Sequence, residues 1–353
     1  MFVERASIDA PQQCGFRPMI QTRRRSRAST MEGFERPDPA CDKRLNRERK
    51  EMTEPSSPRL AARPIVTGFF ERRTFSIQYV LADPETKHCA IIDPVLDFDP
   101  KSGATGTHSA DALTAHIDQE GYTVEWILDT HPHADHFSAA GYLNGRTGAS
   151  TAIGEKVVEV QKLWKRIYNL SDDFPTDGSQ WDRLLADGER FRIGNMDVEV
   201  IFSPGHTLAS ITYIVGDAAF IHDTIFMPDG GTARADFPGG SASVLWDSIE
   251  RIMALPAKTR LFTGHDYCPG GRKPRWESTV AQQRAENIHL TKATTKEEFV
   301  VLRETSDRRL PMPALILASL QVNIRGGRLP EPENNGRRYL KIPLDALSAP
   351  WDE

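Results

Sequence analysis

The sequence has little cysteine, no long apolar run and no strong excess of either charge. Its four cysteines, Cys14, Cys41, Cys89 and Cys268, lie far apart and form no CxxC pair. That spacing argues against a disulfide framework and against zinc held by cysteines, and a reducing compartment is the simplest setting. No apolar stretch reaches the roughly 18 residues that suggest a membrane span. A net charge of -5 over 353 residues gives no footprint for nucleic acid or a membrane surface. The chain starts with charge but no apolar run follows, so there is no secretory pattern. Arg23, Arg24, Arg25 and Arg27 suggest an organelle transit segment, yet acidic residues from Glu32 to Glu54 spoil the acid-poor pattern of such segments. A cytoplasmic location is expected, with the mitochondrial matrix second.

What is present is an ordinary folding composition. Hydrophobic residues make up 39% and charged residues 26%, enough for a sizeable core. Residues 1–62 stand apart. They are rich in Arg, Glu, Pro and Ser without apolar periodicity, and are expected to form a disordered N-terminal extension. Met52 within them is a candidate translation start. Beyond them, Thr74–Leu81 alternates apolar and polar residues as a half-buried strand, with His88–Asp93 as its hairpin partner. Asp111–Glu120 reads as a helix and Val124–Leu128 as a strand; a helix opens over Ser138–Leu143 and another spans Val157–Tyr168. Arg190–Ile193 pairs with Val198–Phe202 through Gly194-Asn195, a hairpin signal. Ser210–Val215 pairs with Ala218–Asp223, then Val244–Leu255 is helical and Arg260–Thr263 extended. Two runs of strands, each trailed by helices, suit an α/β sandwich of two sheets packed face to face with helices outside. Residues 63–290 are expected to form this domain. Residues 291–353 read as a helical and irregular C-terminal extension that packs on the core and walls the site. Thr279–Leu290 and Lys296–Thr305 read as helices, and Pro311–Asn334, broken by Pro and Gly, as irregular.

The chemistry is concentrated in His131, His133, Asp135 and His136. Three imidazoles and a carboxylate fall within six residues, directly after a strand. Histidines two apart in an extended turn point the same way and can chelate one metal, while Asp135 and His136 project towards an adjacent position. A surface histidine cluster is the bland alternative, but neutral imidazole at this density points to a metal. His222 adjoins Asp223, yet alternation along a strand should turn it away from the metal. His88, His108, His116 and His289 have no partner pattern and read as surface or core residues.

The HxHxDH pattern after a strand resembles the signature of the metallo-β-lactamase superfamily. Ser203-Pro204-Gly205-His206-Thr207 resembles its third ligand loop, Asp223 at a strand end matches its carboxylate ligand, and Gly264-His265-Asp266 matches its last ligand loop. All seven ligand positions are present in order, over about residues 65 to 290. The resemblance implies an αββα metallo-β-lactamase sandwich of two mixed sheets, with a C-terminal helical extension.

Within that family three chemistries compete. Zinc β-lactamases place Cys or no acidic ligand where this chain has Asp223. Glyoxalase II-type hydrolases use all seven ligands and two metals. Persulfide dioxygenases keep the seven but load one iron, which by resemblance falls on His131, His206 and Asp223. His133, Asp135, His136 and His265 are then second-site or outer-shell positions. Two histidines and a carboxylate form the facial triad that activates dioxygen on Fe(II). Arg234-Ala235-Asp236-Phe237 resembles the Arg-x-Asp-Phe segment of persulfide dioxygenases, and His265-Asp266-Tyr267 is also similar; the long form resembles bacterial β-lactamase-hydrolase-like proteins. The implied function is oxidation of glutathione persulfide, or a related small persulfide, with O2 to sulfite and thiol at one Fe(II) per chain. The alternative is a hydrolase of glutathione thioesters with two Zn(II) per chain, for which a bridging hydroxide would recruit Asp135, His136 and His265. A non-catalytic metal or sulfur-sensing module comes third, disfavoured by the complete ligand set. For a glutathione-like substrate, Arg234, Arg272 and Lys273 are candidate partners of its carboxylates. Tyr267, beside the last ligand loop, is a candidate hydrogen-bond donor to it. Asp135, His136 and Tyr267 are the candidate catalytic groups. Cys268 reads as an inert free thiol rather than a persulfide relay. Monomer and homodimer both stay open.

Overall fold

The computed structural model describes residues 63–293 and 295–347. The N-terminal extension and Met52 lie outside these residues. The first half of the described chain runs β1 (Ile65–Phe70), β2 (Ile77–Ala82), β3 (His88–Ile92), β4 (Val95–Asp99), β5 (Ala104–Gly106), α1 (His108–Glu120), β6 (Thr123–Leu128), β7 (Phe137–Ser138), α2 (Ala140–Thr147), β8 (Ser150–Gly154), α3 (Val157–Ile167) and β9 (Arg183–Leu185). The second half runs β10 (Arg190–Ile193), β11 (Met196–Phe202), β12 (Ile211–Val215), β13 (Ala218–His222), α4 (Ala242–Met253), β14 (Arg260–Thr263), β15 (Glu277–Thr279), α5 (Val280–Glu286), α6 (Lys296–Asp307) and α7 (Ile316–Asn323).

Two six-stranded sheets result, ordered β1-β2-β3-β6-β8-β9 and β10-β11-β12-β13-β14-β15. Both are mixed: hairpins give antiparallel pairs, whereas β3–β6, β6–β8 and β13–β14 are parallel. Their inner faces share one apolar core, with Ile77, Tyr79, Leu81 and Ile92 from the first sheet against Val198, Tyr213, Phe220 and Phe262 from the second. The outer face of the first sheet is covered by α1 and α2, that of the second by α4, α5 and α6. This is the αββα sandwich that the motif resemblance implies. Local sequence explains the helix starts: Ser241 caps α4, and Thr295 with Glu298 forms a reciprocal capping box on α6. No helix among the described residues is long and apolar enough to cross a membrane.

The structure departs from the sequence expectation in several places; the strand expected over Thr74–Leu81 with one polar face runs Ile77–Ala82 and is buried throughout. Pro311–Asn334 is not wholly irregular, because it contains α7. The helix expected over Thr279–Leu290 is present but shorter, as α5 capped by Thr279, and a short strand, β15, closes the second sheet just before it. At the end of β13 the register with β14 shifts between Phe220 and His222, and His222 takes φ 40°. Even so, His222 joins none of the candidate metal groups among the described residues.

Candidate metal centre

The candidate ligands leave the C-terminal ends of four strands: β6 before His131, β11 before His206, β13 before Asp223 and β14 before His265. Ligand-bearing turns at strand ends can abandon the ladder, so their side chains are free to converge on one spot. The parallel pair β13–β14 sets Asp223 beside His265, and the backbone between them is tight. A Cβ added to Gly264 would lie 2.6 Å from Asp223 Oδ1, so a side chain there would displace the carboxylate.

His131, His206 and Asp223 are all buried, and each offers one ligand atom within 4.8 Å of the others. Their remaining atoms are tied down. His131 Nδ1 faces Thr130 Oγ1 at 3.0 Å, and His206 Nδ1 donates to the Arg234 carbonyl at 2.8 Å. That fixes Nε2 of each as the outward nitrogen. His206 Nε2 stands 3.7 Å from Asp223 Oδ2, and Phe237 packs its ring against His206. His131 Nε2, His133 Nδ1 and His136 Nε2 are buried without a hydrogen-bond partner. An unpaired buried polar atom is costly, and three on neighbouring imidazoles fit a metal ion. Burial, with the neighbouring histidines, holds His131 well below its usual pKa, which keeps it neutral as a ligand must be.

His133 is anchored from behind. Its Nε2 meets Asp93 Oδ1 at 3.0 Å, and Asp93 also accepts from Thr130 N at 2.7 Å and Thr130 Oγ1 at 2.8 Å. Burial would lower the His133 pKa, but Asp93 outweighs it and pushes it up to about 9. Asp135, His136 and His265 gather on the other side of Asp223. His265 bridges two carboxylates, with Nδ1 2.6 Å from Asp223 Oδ1 and Nε2 2.6 Å from Asp135 Oδ2. Ionised carboxylates only accept, so while both stay ionised and no metal binds there, the two ring nitrogens donate and the ring carries a positive charge. Burial opposes that charge, but the two carboxylates hold its pKa well above the usual value. Ser76 Oγ completes the cluster, 3.0 Å from Asp135 Oδ2, 3.1 Å from His136 Nδ1 and 3.0 Å from His265 Nε2.

The structure commits two of the residues put forward for substrate carboxylates to other partners. Arg234 makes a fork to Asp236 at 2.6 and 2.7 Å and donates to the Pro311 carbonyl. Arg272 grips Asp229 and, behind the last ligand loop, the buried Asp266. Lys273 is exposed, and its ammonium meets no partner among the described residues. Tyr267 lies at the mouth, 54% exposed, its ring stacked on His265 at 5.6 Å and 7° and edge-on to Phe226. Cys268 is a free thiol of intermediate exposure, raised in pKa by desolvation and by Asp266.

Of the other histidines, His222 is buried beside the centre, its ring 5.3 Å from that of His131 and its Nε2 held by Ser203 and Thr224. His289 is a partly buried acceptor for Thr232 N. His116 packs on Phe69, His88 pairs with Glu125, and His108 is exposed. Sequence reasoning missed Ser76, Asp93, Thr130 and Asn323. Asn323 donates from Nδ2 to the carbonyls of His133 and His136 at 2.7 and 2.8 Å. Single polar residues carry no motif; only Asp93, at the end of a predicted strand, offered any cue.

Known proteins resemble the chain in three ways. The family model for the metallo-beta-lactamase superfamily matches residues 78–265. A beta-lactamase hydrolase-like protein of Xylella fastidiosa is 66% identical over 82% of this chain and 67% of its own length, so about a third of that relative lies outside the match. Glyoxylase B2 of Dictyostelium discoideum is 48% identical over 79% of this chain and 96% of its own. The human mitochondrial persulfide dioxygenase ETHE1 is 29% identical over 74% of this chain and 89% of its own. The crystal structure of ETHE1 from Myxococcus xanthus superposes with a TM-score of 0.60 at 29% identity, covering 75% of this chain and all of that one. With its ligand positions gathered at the strand ends of an αββα sandwich, the chain belongs to the metallo-β-lactamase superfamily.

Proposed function

We infer that the chain is a persulfide dioxygenase with one Fe(II), taking glutathione persulfide or a related small persulfide and O2. One observation carries this reading. His131, His206 and Asp223 bring two buried imidazoles and one carboxylate within 4.8 Å of one another, with Nδ1 of each imidazole engaged elsewhere and Nε2 turned outward. Two imidazoles and one carboxylate are the ligand type suited to non-haem iron. The likeness to persulfide dioxygenases in sequence and to ETHE1 in fold supports the same choice.

Fe(II) held by that set would supply open coordination positions for O2 and a sulfur ligand. The chain's own residues do the rest. Thr130 and the Arg234 carbonyl hold the two imidazoles in one tautomer. Phe237 and Phe226 keep water from the flanks, packed on His206 and His265. Tyr267, exposed and stacked on His265, and the exposed Lys273 would meet a polar carrier. The balance is simple: the terminal sulfur of the persulfide, one O2 and one water become sulfite and two protons, and the carrier leaves as its thiol.

The hydrolase reading keeps one observation of its own. His133, Asp135 and His136 form a candidate metal group, and so do Asp135, Asp223 and His265. Glyoxylase B2 and the hydrolase-like name of the Xylella relative lean the same way. Anaerobic metal analysis joined to an oxygen electrode separates the two. One iron per chain and persulfide-dependent oxygen uptake is the expected result. Two zincs with thioester cleavage and no oxygen uptake would sink the dioxygenase.

A further inference from the structure

Asn323 ends α7, far beyond the residues 78–265 that match the family. Its side chain is 3% exposed and lies against the metal loop. Its Oδ1 accepts from Ser138 N at 2.8 Å, while Nδ2 donates to His133 O at 2.7 Å and to His136 O at 2.8 Å. The following backbone packs on the same place. A Cβ added to Gly327, at φ 73°, would lie 2.6 Å from the Ser138 carbonyl and 3.0 Å from Gly141 N, so backbone meets backbone there.

The loop from His131 to His136 has no ladder to satisfy its carbonyls. Asn323 satisfies two of them, and both belong to residues whose ring nitrogens are orphaned. Because the peptide unit is planar, holding a carbonyl restrains ψ of its residue and so limits how the backbone that carries the side chain can turn. We propose that Asn323 is a positioning residue for the metal centre. It sets how the His133 and His136 imidazoles project, and it makes metal retention depend on the docking of the C-terminal segment. This goes beyond the dioxygenase reading: with two metals Asn323 orients two ligands, and with one it holds the loop that carries His131.

The test uses the full chain, stripped of metal and titrated with Co(II) against a chelator. Asn323→Ala should bind Co(II) about 10–100-fold more weakly, as loss of a group that orients ligands does. Its visible Co(II) bands should shift, and its gain in melting temperature on adding Co(II) should shrink. Asn323→Asp keeps the size and the bond to Ser138 but loses both donations, so it should move the same way, and it decides the matter if the alanine variant fails to fold. Metal-free variants that melt lower while Co(II) affinity and spectrum match the parent would overturn the proposal. So would failure of both variants to fold without metal, since the fold rather than the centre would then need the amide. Two zincs in the parent protein would overturn only the dioxygenase reading.

Discussion

Arg272 shows how a residue can resemble a ligand for substrate and serve the fold instead. Its guanidinium holds Asp229 with two hydrogen bonds of 2.6 and 2.7 Å and also grips Asp266, which is 2% exposed. The two carboxylates raise the Arg272 pKa, led by Asp229, so it stays charged at any working pH. Removing it strands a buried carboxylate one residue from His265. Arg272→Ala should therefore cost about 3–5 kcal/mol, read in a urea titration. Arg272→Lys should recover only part, because an ammonium cannot make two forks. An unchanged midpoint with a raised KM would instead return Arg272 to the substrate. Lys273→Ala is the matching control. It should leave stability within about 0.5 kcal/mol, as exposed positions do, while raising KM for an anionic persulfide.

At this scale the histidines were legible because several metal-binding types crowd into a few positions. Ser76 and Thr130 were not, because a hydroxyl beside a metal loop looks like any other hydroxyl until the fold brings it there.

Among the elements, strands were legible both where one face is wet, as in β10, and where the run is buried throughout, as in β13, but α7 was not. Ile316 and Leu320 face one apolar cluster and Val322 another, so the helix has no continuous polar stripe. A helix buried on two sides loses the periodicity that betrays an amphipathic one, and the prolines and glycines around it suggested a loop. The short β15 and β9 escaped for a related reason, since three residues are too few to show a period.

The Asp83 turn between β2 and β3 invites a test at the same scale. Its carboxylate accepts from Asn195 N at 2.7 Å, Glu85 N at 2.9 Å and Thr86 Oγ1 at 2.7 Å, so it ties that hairpin to the β10–β11 turn. Burial alone would raise its pKa, but these donors lower it below the ordinary carboxylate value. A depressed folded pKa gives stability that is present above the unfolded value, about 3.9, and is lost as pH falls through the folded one. Asp83→Asn should cost about 1–3 kcal/mol at neutral pH. The gap between variant and parent should narrow only below about pH 4. A gap that stays constant down to pH 2 would show that the charge contributes nothing.

For the whole molecule, the centre is a concentration of buried charge that the sandwich must tolerate. Asp93, Asp129, Asp135 and Asp223 crowd around the histidines, and burial pushes Asp129 up to about 6. Burial and the nearby Asp135 work to raise the pKa of Asp223, and His265 with His206 outweighs them and lowers it, so the two carboxylates depend on the imidazoles between them. His265 and His133 offset part of this, and a bound cation would offset more. Metal should therefore act as a ligand that the folded state alone binds well. At free metal about 1,000 times Kd, that linkage stabilises by about 4 kcal/mol. For a domain of this size, each kcal/mol corresponds to roughly 2–4 °C. Stripping the metal should lower the melting temperature by roughly 8–16 °C on those figures, and adding it back should restore the loss. The sandwich core does not contain the centre, so the stripped protein should still melt cooperatively. Metal analysis before and after the chelator checks the premise. If the ion leaves and the melting temperature does not move, the charge cluster balances itself and binding is uncoupled from folding.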